Sequence, residues 1–236
     1  MSATQALTAK QRRARAILAR LAQRYPEARC TLDYETPVQL LVATMLSAQC
    51  TDERVNQVTP ELFARYPDAA ALAAAPREAI EAAIRPTGFY RNKAKHIQAT
   101  CAALTERFGG QVPNHMDELL ALPGVARKTA NVVLANAYGI HQGVTVDTHV
   151  KRLSHRLGLT EGNTPTQIER DLMRLLPQAE WENWSIRSIY HGRAVCRARQ
   201  PQCRACLLAS LCPAAARFDP SLPEAGTAIE ADDPIG

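Results

Sequence analysis

The chain has 236 residues, of which 46% are hydrophobic and 22% charged, so it is long enough to bury a core and too apolar to be disordered. No stretch reaches the ~18 uncharged apolar residues of a membrane span, and we find no apolar segment with a cleavage site that would predict secretion. The formal net charge is +5, but residues 1–213 carry 27 basic and 18 acidic side chains, a net charge of +9. This excess permits a polyanionic partner without establishing one. For residues 214–236 we expect a disordered acidic tail, because they offer few large apolar side chains.

Hydrophobic periodicity predicts an all-α fold. A first helix is expected over about 8–24, although its Arg-rich sequence is also compatible with an organelle transit peptide. A second helix begins at Thr36 and Pro37 and runs without charge from Val38 to Cys50, so it should be buried on nearly every side. Further helices are predicted over about 52–65, 68–75, 76–84, 92–108, 115–121 (capped by Asn114), 126–138, 148–157, 165–176 and 180–195.

Two of these helices are joined by a tight turn, Leu122-Pro123-Gly124-Val125. A helix that starts directly after such a turn presents unpaired backbone N–H groups, which bind phosphate oxygens well. Gly124 allows close approach of a ligand to the backbone, and Arg127 and Lys128 add positive charge at the same helix end. A purely structural helical corner is the alternative.

Lys128 is a candidate nucleophile. The chain has 23 arginines and only five lysines, so positive charge alone is usually supplied by Arg. Lysine can lose its proton and attack a carbon atom, whereas arginine cannot. A helix N-terminus and a neighbouring Arg127 both favour the neutral amine. The alternative is a solvated surface lysine.

Four of the seven cysteines follow the last predicted helix with the spacing C-x6-C-x2-C-x5-C. They are Cys196, Cys203, Cys206 and Cys212. In a chain expected to stay in a reducing compartment, this spacing predicts a metal site, either a [4Fe–4S] cluster or zinc. A loop fixed by a metal would hold Arg197, Arg199 and Arg204 in position for phosphate contacts. Cys30, Cys50 and Cys101 are predicted to be ordinary buried residues.

The segment from Leu122 to Ala130 resembles the helix-hairpin-helix of the endonuclease III family, DNA glycosylase/lyases of base excision repair. Val146-Asp147-Thr148-His149-Val150 and the segment from Leu46 to Asp52 resemble two further parts of that family, and the similarity covers about residues 10–213. Family members usually have a second glycine where this chain has Ala126. If that position requires a positive φ, we expect Ala126 to be strained by roughly 1 kcal/mol or more.

The resemblance implies two helical domains with a DNA-binding cleft between them and with Lys128 and Asp147 on its opposing sides. A helical barrel domain with the helix-hairpin-helix would span 31–141, and an iron–sulfur cluster domain would combine 1–30 with 142–213. The cysteine spacing matches the cluster motif of that family, so we prefer [4Fe–4S] to zinc.

The resemblance also implies roles for individual residues. Lys128 would attack the deoxyribose C1′ of a flipped nucleotide, and Asp147 would activate the amine or stabilise the sugar, besides capping the helix that follows it. His149 would assist near the sugar or phosphate; a helix-surface histidine is the alternative. Gln49 and Phe89 would fill the gap in the base stack, with a helix C-cap and a core residue as the respective alternatives. The hairpin residues Gly124, Val125, Ala126 and Arg127 would contact DNA.

We therefore expect a monomeric base excision repair enzyme that acts on duplex DNA in a bacterial cytoplasm, associated with the nucleoid through DNA. It would remove oxidised pyrimidines such as thymine glycol and cleave abasic sites by β-elimination. An adenine-mismatch glycosylase of the same superfamily is an alternative, disfavoured because Val38–Gln49 contains no carboxylate. A non-catalytic helix-hairpin-helix DNA-binding protein with a structural metal is another.

Overall fold

The structure, a computed structural model, describes residues 8–223 and is all-helical over that range, as predicted. The helices are α1 (Ala9–Arg24), α2 (Pro37–Leu46), α3 (Asp52–Arg65), α4 (Ala69–Ala74), α5 (Arg77–Ile84), α6 (Tyr90–Phe108), α7 (Met116–Leu120), α8 (Arg127–Tyr138), α9 (Thr148–Arg156), α10 (Pro165–Leu175), α11 (Trp181–Ala194) and α12 (Ala215–Phe218). Single 3₁₀ turns lie at Arg85–Thr87, Gln178–Glu180, Cys203–Ala205 and Ala209–Leu211. None of the helices found in residues 8–223 is long and apolar enough to cross a membrane.

The chain divides into two compact units. One unit is the continuous segment Cys30–Gln142, and the other combines the described residues up to Arg29 with those from Gly143 onward. The domain boundaries predicted at 30/31 and 141/142 lie within one residue of these divisions.

The continuous unit is built around α2. Thr36 accepts a hydrogen bond from the Gln39 amide and Pro37 occupies the first helical position, so the sequence signal for the start of this helix is confirmed. All residues from Leu40 to Leu46 are buried, and α3, α6 and α8 pack against α2. Since each fully buried leucine contributes about 1.5–3 kcal/mol, this packing fixes the position of the α2 C-terminus.

The discontinuous unit is assembled around Trp184 of α11, which is fully buried together with Ile17 and Leu21 of α1. Helix α1 packs against α10 and α11, and α9 also packs against α11. Arg20 of α1 donates hydrogen bonds to the Leu207 carbonyl (2.9 Å) and to the Ser210 hydroxyl (2.8 Å). The Arg-rich first helix is therefore packed as an integral part of this unit.

Two predicted helix ends are wrong. Helix α2 ends at Leu46 rather than at Cys50, because the backbone turns through a left-handed conformation at Gln49. Asn114 does not cap α7; His115 occupies the N-cap position and makes no side-chain capping hydrogen bond.

The predicted disorder from residue 214 onward is also wrong for residues 214–223. Ala214 and Ala215 are buried, α12 follows, and the Arg156 guanidinium lies 4.5 Å from the centroid of the Phe218 ring. The low content of large apolar residues predicted disorder because a segment of this composition cannot form a core of its own. Residues 214–223 are nevertheless ordered, since they complete a core that other helices build. The remaining acidic residues, 224–236, lie outside the described residues.

Candidate nucleic-acid interface and cysteine site

The turn between α7 and α8 requires glycine at position 124. Gly124 has a φ of +75°, and a Cβ added to it would lie 2.8 Å from the His96 Cβ. A hydrogen bond from the Val125 amide to the Leu122 carbonyl (3.2 Å) closes the turn. The Val125 side chain is buried, so this predicted DNA-binding residue can offer only its backbone to a ligand.

Ala126 is unstrained, because the condition for the expected strain, a positive φ, is not met. It is the N-cap of α8 with φ −93° and ψ 165°, an extended conformation that alanine adopts freely. Its side chain makes no capping hydrogen bond, and the first turn of α8 contains no acidic residue. This uncapped N-terminus, preceded by a glycine turn, is the arrangement in which backbone amides bind a phosphate.

Lys128 lies in the first turn of α8 and is exposed. It lines a cavity of about 380 Å³ within the continuous unit. The cavity wall also contains four of the residues predicted to bind DNA, namely Gln49, Phe89, Gly124 and Ala126. Residues separated by up to 79 positions in the sequence thus meet at the proposed nucleophile.

Gln49 and Phe89 share an unusual backbone conformation. Within residues 8–223 they are the only non-glycine residues with a positive φ, 55° for Gln49 and 47° for Phe89. Phe89 is 66% exposed, so it is not a core residue, and Gln49 is not the C-cap of α2, which is Ser47. A left-handed backbone costs non-glycine residues about 1–2 kcal/mol, and strain of this kind concentrates at functional sites.

Lys93, a residue that none of the sequence motifs contains, lines the same cavity. Its Nζ donates hydrogen bonds to the carbonyls of Leu46 and Thr87, both at 2.8 Å, and burial lowers its pKa below the ordinary value. The sequence contains a signal that could have identified Lys93. It occurs four residues before Ile97 on the apolar stripe of α6, where a charged residue is unexpected.

Asp147 and His149 belong to the discontinuous unit. One Asp147 carboxylate oxygen accepts a hydrogen bond from the Val150 amide at 2.8 Å, so the predicted N-cap of α9 is confirmed. His149 is half-buried rather than on an open helix surface: its Nδ1 lies 3.0 Å from the Arg152 guanidinium. The α11 backbone passes so close that a Cβ on Gly192 would lie 2.6 Å from the same nitrogen.

All four predicted metal-ligating cysteines line a single cavity. Its other lining residues include the apolar side chains of Leu153, Leu157 and Leu208. The guanidinium of Arg156 donates hydrogen bonds to the Cys196 Sγ (3.2 Å) and to the carbonyls of Arg197 and Ala198 (2.8 Å each). These bonds fix the start of the segment that runs from Cys196 to Cys212. The four cysteine residues thus line one cavity although they span seventeen positions of the sequence.

Protein groups also contact the sulfur of Cys206. The His191 Nε2 lies 3.4 Å from this sulfur, and the Leu208 amide donates to it at 3.4 Å. Burial raises the pKa of the Cys206 thiol to about 11. Within residues 8–223, no group of three His, Cys, Asp or Glu side chains is arranged to hold a metal ion.

The three arginines predicted beside the cysteines are exposed. Arg204 forms an ion pair with Asp219, with 3.2 Å between Nε and Oδ2, and it also donates to the Ser221 hydroxyl at 3.0 Å. Arg197 and Arg199 lie in the loop whose backbone Arg156 holds.

Comparison with known proteins identifies the family. Residues 42–178 match the HhH-GPD superfamily of base excision DNA repair proteins. Endonuclease III of Synechocystis sp. (strain PCC 6803) is 66% identical over 209 residues, which covers 89% of this chain and 95% of that protein. Endonuclease III of Bacillus subtilis (strain 168) is 44% identical and covers 83% of this chain and 89% of that protein. The chain belongs to the endonuclease III family.

A solved endonuclease III structure, a trapped covalent intermediate with DNA, superposes on the chain with a TM-score of 0.84. The two are 43% identical, and the match covers 90% of this chain and 99% of that one. The sequence-based assignment to the endonuclease III family is thereby confirmed, and the chain is a base excision repair DNA glycosylase with AP-lyase activity. The hypothesis of a non-catalytic DNA-binding module is excluded.

Proposed function

We propose that this endonuclease III family member removes oxidised pyrimidines from duplex DNA and cleaves the resulting abasic strand through Lys128. The observation that carries the proposal is the cavity in which Lys128, at the N-terminus of α8, shares a wall with the exposed, strained residues Gln49 and Phe89. A nucleophile and two residues able to enter a base stack are what an enzyme needs to act on an extruded nucleotide.

The hairpin would hold the DNA backbone. Because Gly124 has no Cβ, a phosphate can approach the turn closely, and the first-turn amides of α8 offer donors to it. Arg127 adds a positive charge at the same helix end. These contacts position the duplex but read no base, so the lesion has to be recognised after extrusion.

The proposed reaction uses the unprotonated amine of Lys128. Its nitrogen forms a bond to C1′, and the base leaves with the electron pair of the glycosidic bond and gains a proton. Opening of the sugar ring at the C1′–O4′ bond gives a protonated Schiff base on Lys128. Loss of a C2′ proton then breaks the C3′–O3′ bond, which cuts the strand 3′ to the abasic site, and water releases the enzyme.

Asp147 is proposed to assist Lys128, by accepting a proton from the amine or by stabilising positive charge on the sugar. Its carboxylate already caps α9 through the Val150 amide, which fixes the orientation of the group. His149 is proposed to assist near the sugar or phosphate.

Gln49 and Phe89 are proposed to replace the extruded nucleotide in the stack. Extrusion costs a few kcal/mol of lost stacking and pairing, which inserted side chains partly offset. The 66% exposure of Phe89 supports this role, because a large apolar ring at the surface gains from burial in DNA.

The four cysteines are proposed to hold a [4Fe–4S] cluster. The donor set fits: four thiols line one cavity with apolar walls, and ligation by four cysteines is typical of such clusters. The cluster would tie the Cys196–Cys212 segment together and present Arg197, Arg199 and Arg204 to phosphates. We expect purified protein to be yellow-brown with broad visible absorption; a colourless preparation with stoichiometric zinc would contradict this assignment.

The substrate proposal is tested by incision of duplex oligonucleotides that each carry one lesion. We expect cleavage at thymine glycol with an unsaturated aldehyde left at the new 3′ end, and no excision of adenine opposite a mismatched guanine. Adenine excision that leaves the strand intact would favour the adenine-mismatch alternative instead. We further propose that the enzyme acts as a monomer in a bacterial cytoplasm, associated with the nucleoid through DNA.

A further inference from the structure

The Nζ atom of Lys93 in α6 links the ends of two separate helical elements, each of which leads into a loop. The side chain is only 8% exposed, and its Nζ donates a 2.8 Å hydrogen bond to the carbonyl of Leu46 and another to the carbonyl of Thr87. The proposed chemistry gives Lys93 no part, yet it lines the cavity that contains Lys128. A buried ammonium between two loops calls for a physical explanation, because desolvating a charge is unfavourable unless it is paired.

The two acceptors are ends of helical elements. Leu46 is the last residue of α2, and Thr87 is the last residue of the 3₁₀ turn Arg85–Thr87. Carbonyls at helix C-termini lack partners within the helix and carry partial negative charge, so an ammonium group stabilises both ends. One nitrogen therefore holds the two carbonyl oxygens within two hydrogen-bond lengths of each other.

Gln49 and Phe89, which are proposed to fill the gap in the base stack and are called the wedge residues from here on, follow closely after these ends. Gln49 comes three residues after Leu46, and Phe89 comes two residues after Thr87, and both are left-handed. Unfavourable backbone conformations persist only where the surrounding structure imposes them. The hydrogen bonds of Lys93 hold in place the last helical residue before each loop. They thereby help to impose the left-handed backbone conformations of Gln49 and Phe89.

We propose that Lys93 is a positioning residue that fixes the separation of the Gln49 and Phe89 loops, so that both side chains enter the base stack together. This inference rests on the proposed wedge roles of Gln49 and Phe89. It assigns Lys93 no contact with the reacting atoms. The effect of losing Lys93 should therefore depend on whether the DNA has a stack to open.

The first test compares Lys93→Met with Lys95→Met, which removes an exposed lysine from the same helix. On duplex DNA with thymine glycol, the single-turnover excision rate of Lys93→Met is expected to fall by about tenfold or more, because small displacements of catalytic geometry have effects of this size. Covalent trapping on single-stranded abasic DNA, which has no opposing strand to separate, should change little. Lys95→Met should resemble the wild type on both substrates.

A fluorescent reporter separates positioning from a general structural role. With 2-aminopurine opposite the lesion, Lys93→Met should show a smaller rise in fluorescence on binding than the wild type at saturating protein. Equal losses on duplex and single-stranded DNA, or no loss on either, would overturn the proposal. If Lys93→Met does not fold, Lys93→Arg keeps a cationic donor but displaces it, and the same duplex-selective loss is expected.

A double-mutant cycle distinguishes failure of this inference from failure of the proposed function. In a Gln49→Ala/Phe89→Ala background, Lys93→Met should add almost no further loss, since Lys93 acts through those two side chains. A full additional loss would overturn the positioning role. If the Gln49→Ala/Phe89→Ala protein itself keeps wild-type activity on duplex DNA, the wedge roles fail and the inference about Lys93 fails with them.

Discussion

Gln49 and Phe89 adopt the same left-handed backbone conformation on the wall of one cavity, although 40 positions of sequence separate them. Neither is glycine or asparagine, the residues that usually occupy this conformation. The structure thus keeps two unfavourable backbone positions close to Lys128. Selection for stability alone would place glycine at both positions.

Replacing Phe89 by glycine should separate stability from function. Phe89→Gly relieves the backbone strain, so the free energy of unfolding should rise by about 1 kcal/mol, while duplex incision should fall because the ring is lost. Phe89→Ala is the matched control: it removes the ring but keeps the strain, so activity should fall without a gain in stability. Denaturant unfolding and single-turnover incision measure the two effects. Full incision activity in both variants would disprove the wedge role of Phe89.

The hairpin turn should tolerate glycine in place of Ala126 but not alanine in place of Gly124. Gly124→Ala combines a positive φ with a clash against the His96 Cβ, so we expect a loss of at least about 1–2 kcal/mol and weaker DNA binding. Ala126→Gly relieves no strain, since φ is −93°, and the free energy of unfolding should change by no more than about 1 kcal/mol. Thermal unfolding and binding titrations check both. A large stabilisation by Ala126→Gly would contradict the described backbone.

We expect Asp219 to compete with DNA phosphates for Arg204, because the two side chains form an ion pair in the free protein. Asp219→Asn should release the guanidinium, so affinity for duplex DNA should rise at low salt and the slope of log K against log salt should steepen by about 0.9. Glu78→Gln removes the same charge from an exposed site on α5 and serves as the control. Truncation before residue 214 is a poorer test, because it also removes buried Ala214 and Ala215. Equal affinities of Asp219→Asn and Glu78→Gln would argue against this competition.

His149 should be neutral near pH 7. Burial lowers the pKa of His149 below its ordinary value of 6.5; the Asp147 carboxylate opposes this shift, and Arg152 and Arg193 reinforce it. The folded state therefore binds this proton less tightly than the unfolded state does. Its contribution to stability is complete above pH 6.5 and is lost as the pH falls from 6.5 through the folded-state pKa. An NMR titration of the imidazole should give a midpoint below 6.5, and a midpoint above 6.5 would refute the prediction.

Much of the fold could be predicted because local signals and tertiary structure agree. Thr36 and Pro37 start α2, Gly139 ends α8, and the uncharged run of α2 is buried as its composition requires. The motif residues around Lys128 and the four cysteines could also be identified, because their spacing is a local property of the sequence.

The remaining features depend on tertiary contacts that local patterns do not encode. The left-handed residues Gln49 and Phe89 follow Leu46 and Thr87, whose carbonyls both accept hydrogen bonds from Lys93, a residue 44 positions after Gln49. The order of residues 214–223 depends on a core formed by other helices. Ala126 carries no strain because the turn places its positive φ at Gly124 instead.

Borohydride trapping tests the central assignment most directly. Borohydride reduces a protein–DNA Schiff base to a stable covalent adduct, so the wild-type protein should be captured on abasic duplex DNA. Lys128→Gln should abolish capture, whereas Lys151→Gln, which removes an exposed lysine that donates to the Asn163 carbonyl, should leave it intact. Capture that persists undiminished in Lys128→Gln would contradict the assignment of Lys128 as the nucleophile.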